Sequence, residues 1–267
     1  MQDSQPATLS ARLLIQKACA SGFGPMWGPR EFGNYNMQQD AFEFLWHLRE
    51  LLKQSSWEGV SFENSTWEHF QTHVCTPLFG AMSWECSGVL TCQHCNSSEP
   101  IISESDTWEL SLKYSEHDEP SRRCGIDHLL ENLFADDVTV DTYTCNNCGA
   151  RRMAYSRYHS VNTIPNILVI RLPRHDVTGR KLFGEIHFQP ELNMTPFFKV
   201  SAKYTLVAAI HHIGSDWTSG HYVAVCNKAL TETIWTEFDD ERVYECDQNS
   251  ALHPVRAYVL FYVRIRL

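Results

Sequence analysis

The chain has 267 residues, 43% hydrophobic and 12% aromatic, enough to bury a substantial core as one elaborate domain or two smaller ones. Its formal net charge of −10 argues against a broad nucleic-acid footprint, which needs clustered lysine and arginine, and favours a basic protein partner. No apolar run approaches the roughly 20 residues of a membrane helix, and Met1 to Ala20 lacks the arrangement of a secretory signal, so no membrane association and a cytoplasmic or nuclear location are expected.

The clearest helix begins within Met37-Gln38-Gln39-Asp40-Ala41-Phe42-Glu43-Phe44-Leu45. Apolar residues recur at Ala41, Leu45, Leu48 and Leu52, widened by Phe44 and Leu51, while Gln39, Glu43 and Glu50 fall off the stripe. Asn34 or Asn36 could cap its start, and acidic residues in the first turns suit the helix dipole. By itself this is an amphipathic core helix.

Four of the ten cysteines fall as Cys92-x-x-Cys95 and Cys145-x-x-Cys148, which in a chain without a secretory signal reads as metal binding rather than disulfide bonding. Each pair is a knuckle whose two thiolates can occupy two corners of a tetrahedron around zinc. Asn96 and Gly149, just past the two pairs, tolerate the backbone angles that such turns impose. The pairs are further apart than in a compact zinc ribbon, so the site would clamp a long excursion of the chain. Cys19, Cys75, Cys86, Cys124, Cys226 and Cys246 show no pairing and read as buried thiols.

The carboxy-terminal part carries β-branched and aromatic runs: Asn166 to Leu172, Tyr204 to His211, Tyr222 to Cys226, Thr233 to Phe238 and Ala257 to Arg264, with Pro173, Pro190 and Pro196 breaking the chain between them. Gly220 lets the backbone turn or approach closely just before one of these runs, which puts His221 at a strand start on the rim of a sheet. A hairpin could return Asp239, after the run around Trp235, to that imidazole. A carboxylate on one ring nitrogen fixes the tautomer and leaves the other free to accept a proton from a thiol or hydroxyl. With 13 histidines and 32 acidic residues in the chain, this spacing alone favours a structural histidine at a hairpin and a solvated turn.

The ordered set of Gln38-Gln39-Asp40-Ala41-Phe42-Glu43-Phe44-Leu45, the paired knuckles, Tyr204 to Ile210 leading to His212-x-Gly214, Gly220-His221-Tyr222 and Trp235-x-x-Phe238-Asp239-Asp240 resembles the ubiquitin-specific proteases. The resemblance implies an α+β, papain-like cysteine protease fold of fingers, palm and thumb. Residues 1–80 would be a truncated helical thumb, 81–160 the zinc-binding fingers and 161–267 an antiparallel palm sheet. It further implies thiol-dependent hydrolysis of ubiquitin isopeptide bonds. His221 matches the general base, Asp239 its orienter and Asp240 an assisting acid. Gln39, Asp40, Glu43 and Tyr222 match positions that bind ubiquitin's tail, and Cys92, Cys95, Cys145 and Cys148 match the ligands of a structural zinc.

One family element has no counterpart. The nucleophile of these enzymes lies in a Gly-Asn-Thr-Cys-(Tyr/Phe) box well upstream of the Gln-Gln-Asp helix. Here Gly33-Asn34-Tyr35-Asn36 imitates its start but has Asn36 at the cysteine position, and Cys19 lacks the flanking residues. Two expectations follow: an active deubiquitinase whose box lies on sequence not shown, or a catalytically inactive ubiquitin-binding scaffold of the same fold.

Overall fold

The computed structural model describes residues 40–46, 80–102, 109–111, 124–134, 138–140, 143–151, 154–172, 174, 181–215, 220–227 and 234–265. Gln39, Cys19, Asn34 and Asn36 lie outside them. The chain divides into two compact units, Met1–Phe79 and Gly80–Leu267.

In the first unit residues 41–46 are helical. The cap is Asp40 itself: its Oδ1 accepts the backbone N–H of Phe42 at 2.8 Å and of Glu43 at 2.9 Å. Those amides have no partner inside a helix, so a carboxylate there satisfies them and meets the positive end of the dipole. Phe42 is buried.

The second unit begins with β1 (Glu85–Cys92), β2 (Ser98–Ile102), β3 (Glu109–Ser111), β4 (Cys124–Gly125), helix α1 (Ile126–Leu133) and β5 (Val138–Val140). Then come β6 (Ala154–Thr163), β7 (Ile167–Arg171), β8 (Ile186–His187), β9 (Glu191–Asn193) and the short α2 (Thr195–Phe198). It ends with β10 (Lys203–Ile213), β11 (His221–Cys226), β12 (Ile234–Asp239), β13 (Arg242–Asp247), α3 (Gln248–Ala251) and β14 (Ala257–Arg264).

Two multi-stranded sheets organise these elements, beside a two-stranded parallel pair of β4 and β8. The larger runs β13-β12-β11-β10-β14-β7-β3, with β9 also paired to β10, and the smaller runs β2-β1-β6-β5. The expected antiparallel sheet needs one correction: β3 pairs with β7 in parallel, so the large sheet is mixed at that edge. The central strands are buried at consecutive positions, Leu168, Val169 and Ile170 of β7 and Ala257, Tyr258, Val259, Leu260 and Tyr262 of β14, which explains their nearly continuous apolar sequence. β10 pairs with both β11 and β14 and forms the spine of the sheet.

Helix α1 buries Ile126, Leu129 and Leu130, the i, i+3, i+4 face of a helix, in the core. These join Leu168, Ile170, Leu206, Trp235 and Leu260 in one buried cluster. Each fully buried aliphatic side chain of this kind stabilises the fold by about 1.5–3 kcal/mol. Trp84 and Phe198 pack with ring centroids 5.9 Å apart, so Trp84 serves packing. Buried tyrosines keep their hydroxyls satisfied: Tyr204 donates to Pro165 O and Tyr262 to Gln189 O, both at 2.8 Å.

Candidate active site

The β10–β11 pairing puts Ile213 opposite His221 and His212 opposite Tyr222, so His221 opens β11 at the rim of the large sheet. Beside it, β12 ends at Asp239, which pairs with Arg242 across a tight hairpin. Asp240 turns that hairpin with φ of 52°, a left-handed conformation in which Asp is among the better-tolerated non-glycine residues. The sheet thus fixes both partners by their backbones. His221 Nε2 donates to Asp239 Oδ1 at 2.5 Å. The carboxylate holds the ring in one orientation and leaves Nδ1 as the nitrogen able to take a proton. With side-chain exposures of 41% and 27%, the pair is held yet open to a substrate.

His221, Asp239, Asp240, Glu241 and Arg242 line a cleft of about 610 Å³. The ligand atoms of His221, Asp239 and Asp240 lie within 4.8 Å of one another. No cysteine occurs among the described residues lining the cleft.

The two knuckles have the same backbone. Cys92 N–H donates to Ser97 O and Asn96 N–H to Cys92 O; Cys145 N–H donates to Ala150 O and Gly149 N–H to Cys145 O. The residue four past the first cysteine is left-handed in each, Asn96 at φ 56° and Gly149 at φ 73°, which is why asparagine and glycine stand there. The knuckles face one another, with Cys92 Sγ 3.8 Å from Cys148 Sγ and Cys95 Sγ 3.7 Å from Cys145 Sγ. All four sulfurs lie within 4.8 Å, so the cluster can hold a metal ion.

Two of its thiols are lowered and one is raised. The backbone amides of Cys148 and Asn147 lower Cys145 to about 6. Cys95 is also lowered, chiefly by the Ser97 amide and then by the Asn147 side chain, whose Nδ2 lies 3.6 Å from its sulfur. The Ala150 amide favours the Cys148 thiolate, but burial and the sulfurs of Cys95, Cys145 and Cys92 outweigh it and push that thiol up to about 12. Crowded thiols resist a full set of negative charges until a cation neutralises them.

The profile of the ubiquitin carboxyl-terminal hydrolase family matches residues 27–262. The chain belongs to that family. Among curated hydrolases it is 28% identical over 244 residues to ubiquitin carboxyl-terminal hydrolase 23 of Arabidopsis thaliana, covering 89% of this chain and 26% of that protein. Against hydrolase 9 of Saccharomyces cerevisiae it is 27% identical over 248 residues, covering 86% of this chain and 31% of the other. Among solved structures it resembles the SAGA Ubp8/Sgf11/Sus1/Sgf73 DUB module bound to ubiquitin aldehyde, with TM-score 0.62, 24% identity, and 88% of this chain and 52% of that one covered. The same module bound to monoubiquitin gives TM-score 0.62 at 23% identity, with 88% and 51% covered. The chain therefore spans about a quarter to a third of these two curated hydrolases and about half of the solved chains, and it shares the solved chains' fold.

Within this hydrolase fold the structure brings His221, Asp239 and Asp240 together, and likewise the four cysteines. Tyr222 follows His221 on β11, and its ring packs 4.8 Å from His212 and 6.0 Å from Tyr258. Asp40 and Glu43 lie in the first unit, where Asp40 caps its helix. Outside the cluster, Cys124, Cys226 and Cys246 are half-buried rather than buried, because they sit on strand positions that the core does not fully cover. No disulfide forms among the described residues.

Sequence reasoning missed the support behind the histidine. Buried Lys181 donates to Gly214 O at 2.5 Å and His212 O at 3.4 Å. Buried Arg174 donates to Ala257 O at 2.7 Å, Gly184 O at 2.8 Å and Pro254 O at 2.6 Å. No pattern in the sequence distinguishes these two cations from solvated ones, since their partners are backbone carbonyls supplied by distant segments.

Gly220 has a steric role. A Cβ built there would meet His212 Nε2 and Ile213 O at 2.5 Å, so no larger residue fits without moving the strand that carries His221. Gly220→Ala is expected to destabilise the chain by about 1–3 kcal/mol, read by chemical denaturation. An unchanged midpoint would show that the contact relaxes freely.

His211, beside this pair, is buried, and its Nε2 donates to Ala251 O at 3.0 Å. Burial pushes it down from 6.5 to about 4; the Ala251 carbonyl opposes this, while His253, Arg256 and Arg174 reinforce it. The folded state thus binds the proton less well than the unfolded chain. The stabilisation from neutral His211 is complete above pH 6.5 and is lost as pH falls from 6.5 to 4. Over that window the contribution is about 3 kcal/mol. Denaturation at pH 7 and pH 5 should show the loss, and His211→Gln should reduce that pH dependence.

Proposed function

We propose that the chain is the ubiquitin-binding and base-bearing part of a cysteine-type deubiquitinase, acting on ubiquitin or ubiquitinated proteins. The observation that carries this is the 2.5 Å bond from His221 Nε2 to Asp239 Oδ1 on two paired strand ends inside the hydrolase fold. In the proposed reaction His221 Nδ1 takes the proton of a cysteine thiol as sulfur attacks the carbonyl carbon at ubiquitin's C-terminal glycine. The imidazolium, held by Asp239, returns that proton to the leaving amine as the C–N bond breaks. Water then attacks the thioester, His221 takes its proton, and the sulfur leaves to recover that proton as thiol. Asp240 adds negative charge beside the imidazolium.

In this reading the sheet of β1, β2, β5 and β6 forms fingers, the large sheet a palm, and the first unit a thumb. Zinc is the proposed metal of the cysteine cluster. Around a tetrahedral zinc with bonds of about 2.3 Å the sulfurs stand about 3.8 Å apart, and the cross-knuckle distances are 3.7 and 3.8 Å. The zinc would be structural, since four thiolates leave no open position. Asp40, Glu43, Gln39 and Tyr222 are assigned to ubiquitin's basic tail, to which the net charge of −10 is complementary. A cytoplasmic or nuclear setting suits unpaired thiols.

A second reading, an inactive ubiquitin-binding scaffold, is favoured by one observation: no described residue lining the cleft is a cysteine. A ubiquitin probe with a C-terminal electrophile separates the two. A covalent adduct that disappears in His221→Ala establishes the hydrolase. Binding without adduct establishes the scaffold, and neither adduct nor binding overturns both.

A further inference from the structure

We infer that Lys181 is a positioning residue for His221, fixing the end of the strand against which the histidine is registered. The inference rests on reading His221 as the catalytic base. Its geometry begins with the sheet. β14 pairs with β10 only as far as Ala257 opposite His211, after which His212 N–H still donates to Arg256 O at 2.8 Å. Beyond that point β10 continues through Ile213, the residue opposite His221, without β14 beside it. Backbone groups alternate sides along a strand. The carbonyl of His212 therefore faces the side that β14 has vacated, that of Gly214 follows the same alternation, and Ile213 faces β11.

Lys181 supplies the donor that β14 no longer provides. Its ammonium reaches Gly214 O at 2.5 Å and His212 O at 3.4 Å, the carbonyls flanking Ile213, and stands 5.7 Å from the Phe183 ring centroid. The residue is only 6% exposed, so these bonds form where charge-assisted hydrogen bonds are strong and an orphaned carbonyl is costly. On the opposite side of Ile213 the contact is just as tight, since there is no room for a Cβ on Gly220 against Ile213 O and the His212 ring. A shift of Ile213 is therefore passed directly to Gly220 and His221. Lys181 in turn is anchored through its neighbour: Leu182 N–H donates to Arg174 O at 2.8 Å, and Arg174 is tied to three carbonyls. Two buried cations thus brace the rim of the sheet from behind.

The test reads the histidine itself. In the full chain labelled with ¹⁵N, the His221 Nε2–H resonance, assigned by its loss in His221→Gln, is expected far downfield and protected from solvent by Asp239. Lys181→Met should shift it upfield or broaden it beyond detection, and Lys181→Gln, which keeps one donor, should give an intermediate signal. The control is Tyr204→Phe, which removes a buried hydrogen bond at the other end of β10 and should leave the resonance in place. An unchanged resonance in folded Lys181→Met and Lys181→Gln would overturn the inference, and so would loss of the fold in both, which assigns Lys181 to stability alone. Ubiquitin binding is scored separately. A resonance that follows Lys181 in a chain that does not bind ubiquitin leaves the positioning role standing and removes the deubiquitinase reading; the reverse result does the opposite.

Discussion

On the proposed hydrolase reading, Asp239→Asn is expected to lower thiol-dependent ubiquitin hydrolysis by about 10⁴-fold while leaving ubiquitin affinity unchanged, because an amide in place of the carboxylate can hold the imidazole in the wrong tautomer and does not stabilise its cation. His221 Nε2 donates to Asp239 Oδ1 at 2.5 Å, and both residues end paired strands, so the substitution leaves the backbone in place. The loss should fall on kcat rather than KM, as it does when an interaction is made chiefly in the transition state. His221→Ala should cost at least as much, since it removes the proton acceptor itself. Asp240→Asn should cost far less, because Asp240 lines the cleft from an exposed turn and the 2.5 Å bond to the ring belongs to Asp239. Rates of reaction with an electrophilic ubiquitin probe give the comparison. Equal, measurable rates for Asp239→Asn and the parent chain would show that the pair plays no catalytic part.

The second large effect belongs to the cysteine cluster. Metal analysis is expected to find about one zinc per chain, and Cys92→Ser should abolish it. Apparent binding energies of about 10–16 kcal/mol for structural zinc act as folding energy, so the variant should lose much of the order of the smaller sheet. The connection is direct: Cys92 ends β1, which pairs with both β2 and β6, and Cys145 lies just after β5, so the metal would clamp both sides of that sheet. A chelator should do the same to the parent chain, visible as a lower melting temperature. Asn147→Ala, which removes a donor to Cys95 Sγ, should weaken the metal by about 10–100-fold without abolishing it. A stably folded, metal-free parent chain would refute the assignment.

What the sequence revealed follows from how local each signal is. β7, β10, β11, β12 and β14 were legible because their apolar and β-branched runs are buried on one or both faces. The knuckles were legible because cysteine spacing and the following Asn96 and Gly149 encode a turn within a few residues. β13 was missed: Arg-Val-Tyr-Glu-Cys-Asp is an edge strand, exposed at all but one position, so no burial pattern marks it. Asp40 rather than Asn34 or Asn36 caps the helix, because its carboxylate is placed to accept the amides of Phe42 and Glu43, and several neighbouring polar residues offer the same chemistry in sequence. Lys181 and Arg174 were beyond reach for a different reason. Their carbonyl partners lie 31 and 33 residues away for Lys181, and up to 83 for Arg174, and a carbonyl leaves no trace in residue identity.

On the proposed reading this chain recognises ubiquitin and presents His221 and Asp239 to its tail. Calorimetric titration of the zinc-loaded chain with ubiquitin, and with ubiquitin lacking its C-terminal glycines, tests it most directly. Saturable binding that weakens when the tail is removed is expected. No heat of binding at high micromolar ubiquitin, from a folded and metal-loaded chain, would contradict it.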